Sequence, residues 1–186
     1  MNALPKRKNL RLKDYDYASE GAYFVTFCAK SRTYVFWEDV GANIVRPQNA
    51  LPFSAIGKIV DNKIRQIETI YCGVSVDKYC IMPDHIHMLI VLTNHELEHV
   101  AETGEQCSPL QVAEIKITET HNPTISRIVK QLKGAVTKEI GHSIWQKSFV
   151  DRIIRSQSGY EAVWEYIHYN PMQLDFAFDN IDFDLF

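Results

Sequence analysis

Two histidines separated by one residue carry the clearest chemical signal in the sequence. His85 and His87 lie in the apolar, β-branched run 79–92, whose composition favours a β-strand. Alternate side chains of a strand point to opposite faces, so both imidazoles must lie on the same face. Imidazole nitrogens bind divalent cations, and the pair therefore predicts a metal site that needs a further ligand.

Tyr166 and Asn170 offer chemistry that complements the histidine pair. They are four residues apart in a predicted helix, so they stack on one helical face. The carbonyl oxygen of Asn170 could complete a metal site and leave positions open for phosphate oxygens and water. A free tyrosine has a pKa of about 10 and is a poor nucleophile at neutral pH. A cation would polarise the phosphate, so that the phenol oxygen of Tyr166 can displace a sugar oxygen.

Other residues of the same helix provide alternatives. Tyr169 is a rival nucleophile, but it is adjacent to Asn170 rather than one turn away from it. Tyr166 could also be a core tyrosine whose hydroxyl is bonded to backbone. A different face of the helix is predicted to be core and comprises Tyr160, Val163, Trp164 and Ile167.

The first half of the chain predicts the elements that position the histidines. Ser54 is a plausible N-cap of a helix with apolar residues at helical spacing, and Pro83-Asp84 is a turn dipeptide between two strands. The predicted strands are Tyr23–Ala29 with a short partner at 34–37, then 74–82 and 85–92. The order strand, helix, strand, strand indicates an α+β fold with a ferredoxin-like antiparallel sheet and packed helices.

The second half adds two helices and an insertion. Residues 94–122 are acidic and poor in aromatic residues, which indicates a flexible insertion. Asn122-Pro123 predicts the start of a helix that ends at Gly141. Ser158 and Glu161 form a capping-box pattern for the last helix, which must stop near Asn170 because Pro171 follows.

Composition and charge limit the classes to which the protein can belong. The 186 residues, 46% of them hydrophobic, predict one domain over 1–186 that includes the insertion. Neither a membrane span nor a signal-peptide core is visible, so we expect a cytoplasmic protein. The net charge of −3 conceals a basic surface. Residues 93–122 carry six acids and one base (−5), whereas residues 123–156 carry seven bases and two acids (+5).

Several motifs together resemble the single-tyrosine HUH transposases, and most closely the group associated with repetitive extragenic palindromes (REP). The matching segments are Met82-Pro83-Asp84-His85-Ile86-His87, Trp145-Gln146 with Phe149, Arg152 and Ile154-Arg155, and Tyr166-Ile167-His168-Tyr169-Asn170-Pro171. The resemblance runs from about Tyr23 to Gln173, except across the acidic insertion.

This resemblance implies a metal-dependent nuclease and strand transferase that acts on single-stranded DNA beside a hairpin. Tyr166 would be the nucleophile, forming a 5′-phosphotyrosine and a free 3′-OH, with His85, His87 and Asn170 as ligands of Mg²⁺ or Mn²⁺. Two imidazoles do not by themselves exclude Zn²⁺. The resemblance leaves open whether two chains form a homodimer, and whether Tyr166 serves its own chain's histidines or a partner's.

Basic and aromatic residues are the expected DNA contacts. Cations on and after the 124–138 helix would neutralise phosphates, and Trp145, His168 or Tyr169 could stack on an unpaired base. The candidates are Arg127, Lys130, Lys133, Lys138, Trp145, Lys147, Arg152 and Arg155.

Two alternative hypotheses assign the chain to different classes of protein. His95-Glu96-Leu97-Glu98-His99 matches the HExxH signature of zinc proteases, although its polar, Gly-containing setting argues against a long core helix. A domesticated DNA-binding protein that retains the scaffold without transposition activity is the second alternative.

Overall fold

The computed structural model describes residues 15–38, 53–93 and 124–172. The elements in chain order are β1 (Gly21–Cys28), α1 (Ala55–Arg65), α2 (Ile67–Ile70), β2 (Val74–Ile81), β3 (His85–Leu92), α3 (Ile125–Ile140), β4 (Val150–Ile154) and α4 (Gln157–Tyr169). The predicted insertion at 94–122 and the HExxH segment at 95–99 lie outside the described residues.

The four strands form one antiparallel sheet in the order β2-β3-β1-β4. With α1 between β1 and β2 and α3 between β3 and β4, this connectivity is that of a ferredoxin-like unit. The predicted α+β fold with an antiparallel sheet and packed helices is confirmed. The helix α4 is an addition that follows the last strand.

Strand alternation divides the sheet into two unlike faces. One face, which includes Tyr23, Val25 and Met88, packs against α1 and α3 in the larger hydrophobic core. The opposite face carries Phe24 and Leu89, which pack against Val163 and Ile167 of α4 in a smaller core. We call this second surface the site face, because His85 and His87 share it with Leu89 by strand alternation.

Helix ends follow capping chemistry, but not always at the predicted residue. The Ser54 hydroxyl accepts a hydrogen bond from Gly57 N, as predicted, and Gly141 ends α3 with a φ of 81°. The cap of α3 is Thr124 rather than Asn122, because its hydroxyl accepts from Arg127 N. The cap of α4 is Ser156 rather than Ser158, since its hydroxyl accepts from Gly159 N.

Two further sequence expectations differ from the structure, and one strand was missed. The segment at 34–37 forms no partner strand; Trp37 makes only an isolated bridge to Phe53. The strand β4 was not predicted. Trp164 is 36% exposed rather than core, because it lies on the flank of α4 under Lys78. Among the described residues, no helix is long and apolar enough to span a bilayer.

Candidate active site

The histidine pair sits on β3, in the middle of the sheet. Its neighbour β1 places Cys28 opposite His85 and Thr26 opposite His87. The two Nε2 atoms are 3.1 Å apart, so the imidazoles converge on one point, as the strand alternation predicted. His87 is fully buried and His85 nearly so. A stiff central strand therefore fixes the spacing of both rings.

Each imidazole is anchored through its other nitrogen. The carboxylate of Asp84 accepts a hydrogen bond from His85 Nδ1 at 2.5 Å, which leaves the lone pair on His85 Nε2. His87 Nδ1 lies 2.7 Å from the Thr26 hydroxyl, which can donate or accept and so supports either tautomer. Such contacts to the far nitrogen orient metal-ligating histidines in general.

Arg32 extends this arrangement beyond Asp84. Its guanidinium lies 3.4 Å from Asp84 Oδ2 and donates to Cys28 Sγ at 3.1 Å. Arg32 and Ser31 both have left-handed backbones, with φ values of 54° and 58°. Non-glycine residues rarely adopt this conformation, which costs free energy and clusters at functional sites. The turn therefore holds Arg32 beside the histidine anchor at a conformational cost.

Burial sets the protonation of the two imidazoles. Desolvation lowers the pKa of His85, although the hydrogen bond and charge of Asp84 act in the opposite direction. Desolvation and the neighbouring His85 lower the pKa of His87 well below its ordinary value. Both rings are therefore neutral at neutral pH, which is the state that can donate a lone pair to a cation.

The histidine geometry fits a bound cation. Two nitrogens at about 2.0–2.1 Å from one ion, at angles between octahedral and tetrahedral, lie about 2.9–3.4 Å apart. The observed separation of 3.1 Å falls within this range. In the parts of the chain that the structure describes, no third His, Cys, Asp or Glu joins the pair. An amide or carbonyl oxygen would have to complete the ligand set.

Tyr166 brings its hydroxyl to this pair. The hydroxyl lies 3.4 Å from His87 Nε2, and the ring packs edge-on against His87 and Phe24. Burial raises the pKa of Tyr166 to about 12, whereas a hydrogen bond with the side chain of Asn170 opposes this rise. Asn170 is therefore within hydrogen-bonding reach of the phenol. The structure thus brings Tyr166 to the histidine pair, with Asn170 next to the Tyr166 hydroxyl.

The rival tyrosine points elsewhere. Tyr169 is 47% exposed, and its ring contacts His168, which in turn stacks on Trp164. Tyr160 packs beside the smaller core and its hydroxyl donates to Asp77. Of the three tyrosines on α4, Tyr166 is the one in contact with the histidine pair.

Two of the predicted DNA contacts are structural instead. Trp145 is 7% exposed, packs against Phe27 and Phe36, and donates its indole N–H to the carbonyl oxygen of Lys133, so it cannot stack on a base. The Lys133 ammonium donates to the carbonyl oxygens of Gln146 and Ser148, and burial lowers its pKa to about 8. The Lys133 ammonium therefore stabilises the loop before β4 rather than serving mainly as a DNA contact.

The remaining basic candidates are exposed but lie on different sides of the sheet. Arg152 is opposite Phe24 in the β1–β4 register, so it belongs to the site face. The cations of α3 belong to the helix layer on the other face. The exposed candidates are Arg127, Lys130, Lys138, Lys147, Arg152 and Arg155.

Sequence reasoning missed three residues that support the histidines. Asp84 was assigned only as a turn residue, although its position next to His85 was a usable signal. Thr26 and Arg32 gave no local signal, because strand pairing across 61 residues brings Thr26 to His87.

The site and the sheet define an α+β domain of the fold found in tyrosine transposases. A solved structure of a REP-associated tyrosine transposase bound to a REP hairpin matches 90% of this chain and 76% of that chain, with a TM-score of 0.55 and 16% identity. No protein-family model matches the sequence.

Two proteins of Haemophilus influenzae (strain ATCC 51907 / DSM 11121 / KW20 / Rd) are similar in sequence. An uncharacterized protein is 31% identical over 174 residues, which span 89% of this chain and 88% of the relative. A protein provisionally named REP-associated tyrosine transposase is 27% identical over 94 residues, covering 50% of this chain and 47% of the relative. The chain and the uncharacterized relative therefore belong to one family, and the resemblance to REP-associated tyrosine transposases that the motifs indicated is supported by the second relative and by the shared fold.

Proposed function

We propose that the protein is a divalent-metal-dependent nuclease and strand transferase that acts on single-stranded DNA beside hairpins, with Tyr166 as its nucleophile. The observation that carries this proposal is the position of the Tyr166 hydroxyl, 3.4 Å from Nε2 of a neutral, convergent histidine pair. A phenol oxygen beside two potential metal ligands is placed to attack a phosphate held by the bound cation.

His85 and His87, with the side-chain oxygen of Asn170, would hold Mg²⁺ or Mn²⁺. When bound, the cation supplies Lewis-acid stabilisation of the negative charge that develops on the phosphate. Asp84 and Thr26 contact the Nδ1 atoms of the two imidazoles and so orient both Nε2 atoms toward that point.

The chain's own residues account for the covalent step. The Tyr166 oxygen forms a bond to phosphorus while the bond from phosphorus to the 3′-oxygen of the preceding sugar breaks. The phenol loses its proton and the released 3′-oxygen gains one, so the exchange balances without a co-reactant. Asn170 favours the phenolate, because its hydrogen bond lowers the pKa of Tyr166 against the effect of burial. The resulting phosphotyrosine conserves the bond for later transfer to another 3′-OH.

DNA binding would draw on the exposed cations. Arg152 extends the site face beside Phe24, and Arg155 follows at the end of the same strand. Each phosphate neutralised releases a condensed counterion, which makes the affinity fall with salt. The related structure contains a transposase with a REP hairpin, which supports hairpin DNA as the partner class here.

A single chain supplies every member of the proposed site. Tyr166 reaches His87 of the same chain, so we infer that the nucleophile acts in cis and that cleavage needs no second subunit. A dimer would still be compatible with this arrangement, but it would not have to exchange helices.

The test is covalent capture of a labelled hairpin oligonucleotide with a single-stranded flank. We expect a denaturation-resistant adduct that requires Mg²⁺ or Mn²⁺, is lost in EDTA and is absent from Tyr166→Phe. Tyr169→Phe and His95→Ala serve as controls for the rival nucleophile and the HExxH reading, and both should retain the adduct. A folded protein that binds the hairpin with metal but never forms an adduct would favour a DNA-binding role without transposition.

A further inference from the structure

A cationic cleft lies between α3 and the segment that precedes β4, and none of the proposed catalytic residues lines it. It has a volume of about 380 Å³ and is lined by Ser126, Val129, Lys130, Lys133, Lys147, Ser148 and Phe149. This volume is within the range of sites that hold small organic ligands. Three lysines and no carboxylate line it, while Val129 and Phe149 provide an apolar surface.

We propose that this cleft binds one unpaired nucleotide of the DNA strand that flanks the cleaved phosphate, with the base on Phe149 and the phosphate on Lys130 and Lys147. The proposal rests on the proposed function, because it takes single-stranded DNA as the ligand. It adds a subsite that none of the catalytic residues requires. An aromatic surface next to cations is the combination that single-stranded nucleic acid uses for stacking and charge neutralisation.

Lys133 makes the cleft a preformed feature. Its ammonium donates to the carbonyl oxygens of Gln146 and Ser148, which fixes the wall formed by residues 146–149 against α3. The same ammonium lies 5.9 Å from the centre of the Phe149 ring. Lys130 and Lys147 remain exposed on the two walls, so their charges stay available for a ligand.

The sheet register places the segment that leads into the cleft near the histidine strand. Gln146 N donates to the carbonyl oxygen of Cys28, and Cys28 is opposite His85 in the β1–β3 pair. Two strand spacings therefore separate Gln146 from His85, or roughly 10 Å. Because α3 packs on the opposite face of the sheet from Tyr166, DNA leaving the histidine pair would cross Thr26 and the exposed Val150, which are opposite each other, and pass around the β4 edge before it meets the cleft.

The experiment measures binding without cleavage, in a Tyr166→Phe background. Fluorescence anisotropy would compare a blunt hairpin with hairpins that carry thymidine extensions of two to eight nucleotides on either end. We expect one of the two extension series to bind more tightly than the blunt hairpin. Because no adduct is needed, a failure of the cleavage proposal would leave this comparison intact.

Charge variants test the phosphate contacts. Lys130→Gln with Lys147→Gln removes two cations, so the slope of log K against log salt for the extended hairpin should become shallower by about 1.4. Lys58→Gln with Arg65→Gln removes the same charge from exposed positions of α1 and should leave the slope unchanged. Equal slopes for the two double variants would overturn the proposal, because the cleft would then contribute no specific contact.

A third variant tests the stacking contact. Phe149→Leu keeps an apolar side chain but removes the aromatic face, and it should weaken the extended hairpin about fivefold or more without changing the salt slope. The blunt hairpin should bind this variant and the lysine variant as it binds the background protein. Equal weakening of blunt and extended hairpins by Phe149→Leu would contradict base binding in the cleft.

Discussion

Replacing Asp84 by Asn should weaken metal binding while leaving the fold intact. The carboxylate of Asp84 holds His85 Nδ1 at 2.5 Å and is also 3.4 Å from the Arg32 guanidinium. Asparagine keeps the shape and an acceptor oxygen but removes the negative charge. The Nε2 atom of His85 would then donate its electron pair to the metal more weakly. The positive charge of Arg32 would also repel the cation, because its carboxylate partner would be gone.

The expected magnitude follows from the position of Asp84. Loss of a group that orients a ligating histidine typically lowers metal affinity 10- to 100-fold, or about 1.4–2.7 kcal/mol. We expect the upper part of this range, since the Asp84 side chain is only 14% exposed and is therefore poorly screened. Proton competition would not explain the loss. Asp84 raises the pKa of His85, so its removal leaves the imidazole more fully neutral.

Isothermal titration with Mn²⁺ at pH 7.5 measures the effect directly, without DNA or turnover. Asp77→Asn is the matched control, because it removes one carboxylate whose contacts are Ser75 and Tyr160 rather than a histidine. Both variants should melt as the parent does in the absence of metal. Mn²⁺ affinity in Asp84→Asn equal to that in Asp77→Asn would refute the anchoring role.

Other perturbations test the packing and the corrected assignments. Gly57→Ala should destabilise the fold by at least about 2 kcal/mol in denaturant unfolding, because its Cβ would overlap the carbonyl oxygen of Phe36. Gly134→Ala meets open space and should stabilise α3 by about 0.5–1 kcal/mol. A similar change in stability for both variants would contradict the close approach of Phe36 to Gly57. Trp145→Phe should cost roughly 1–3 kcal/mol of stability in denaturant unfolding, because it removes the indole hydrogen bond and part of the buried ring. Hairpin binding, measured by anisotropy, should not weaken. Weaker binding at unchanged stability would instead support Trp145 as a DNA contact. Lys133 should titrate near pH 8 in side-chain NMR, below the ordinary lysine value. The unfolded chain then holds more protons than the folded chain above pH 8, so the contribution of Lys133 to stability rises with pH there. A titration midpoint near 10.4 would show that Lys133 is not buried in this way.

Local patterns were sufficient to predict most of the elements. The period-2 run of β3 and the helical spacing after Ser54 gave both elements with accurate starts. The strand β4 escaped because its alternation is inverted: Asp151 is buried on the core face and Arg152 is exposed. A buried carboxylate inside a five-residue strand contradicts the usual polar-outward pattern, and only the completed sheet explains its orientation.

The candidate site was also predictable only in part. The histidine pair and the Tyr166–Asn170 spacing follow from the two periodicities, so the sequence could predict which side chains share a face. The distance between β3 and α4 could not be predicted, because it depends on packing of Val163 and Ile167 against Phe24 and Leu89. Trp145 shows the opposite failure. Its motif position suggested DNA contact, but its ring packs against Phe27 and Phe36 in the core and its indole N–H donates to the Lys133 carbonyl oxygen.

The proposed reaction bonds the Tyr166 oxygen to a DNA phosphate. The most direct measurement is tandem mass spectrometry of a nuclease-trimmed adduct formed with Mn²⁺, in which fragment ions distinguish Tyr166 from Tyr160 and Tyr169. We predict a nucleotide mass on Tyr166 alone, together with a free 3′-OH on the released strand. A nucleotide mass on another residue, or a cleaved strand without any protein-linked nucleotide, would contradict it.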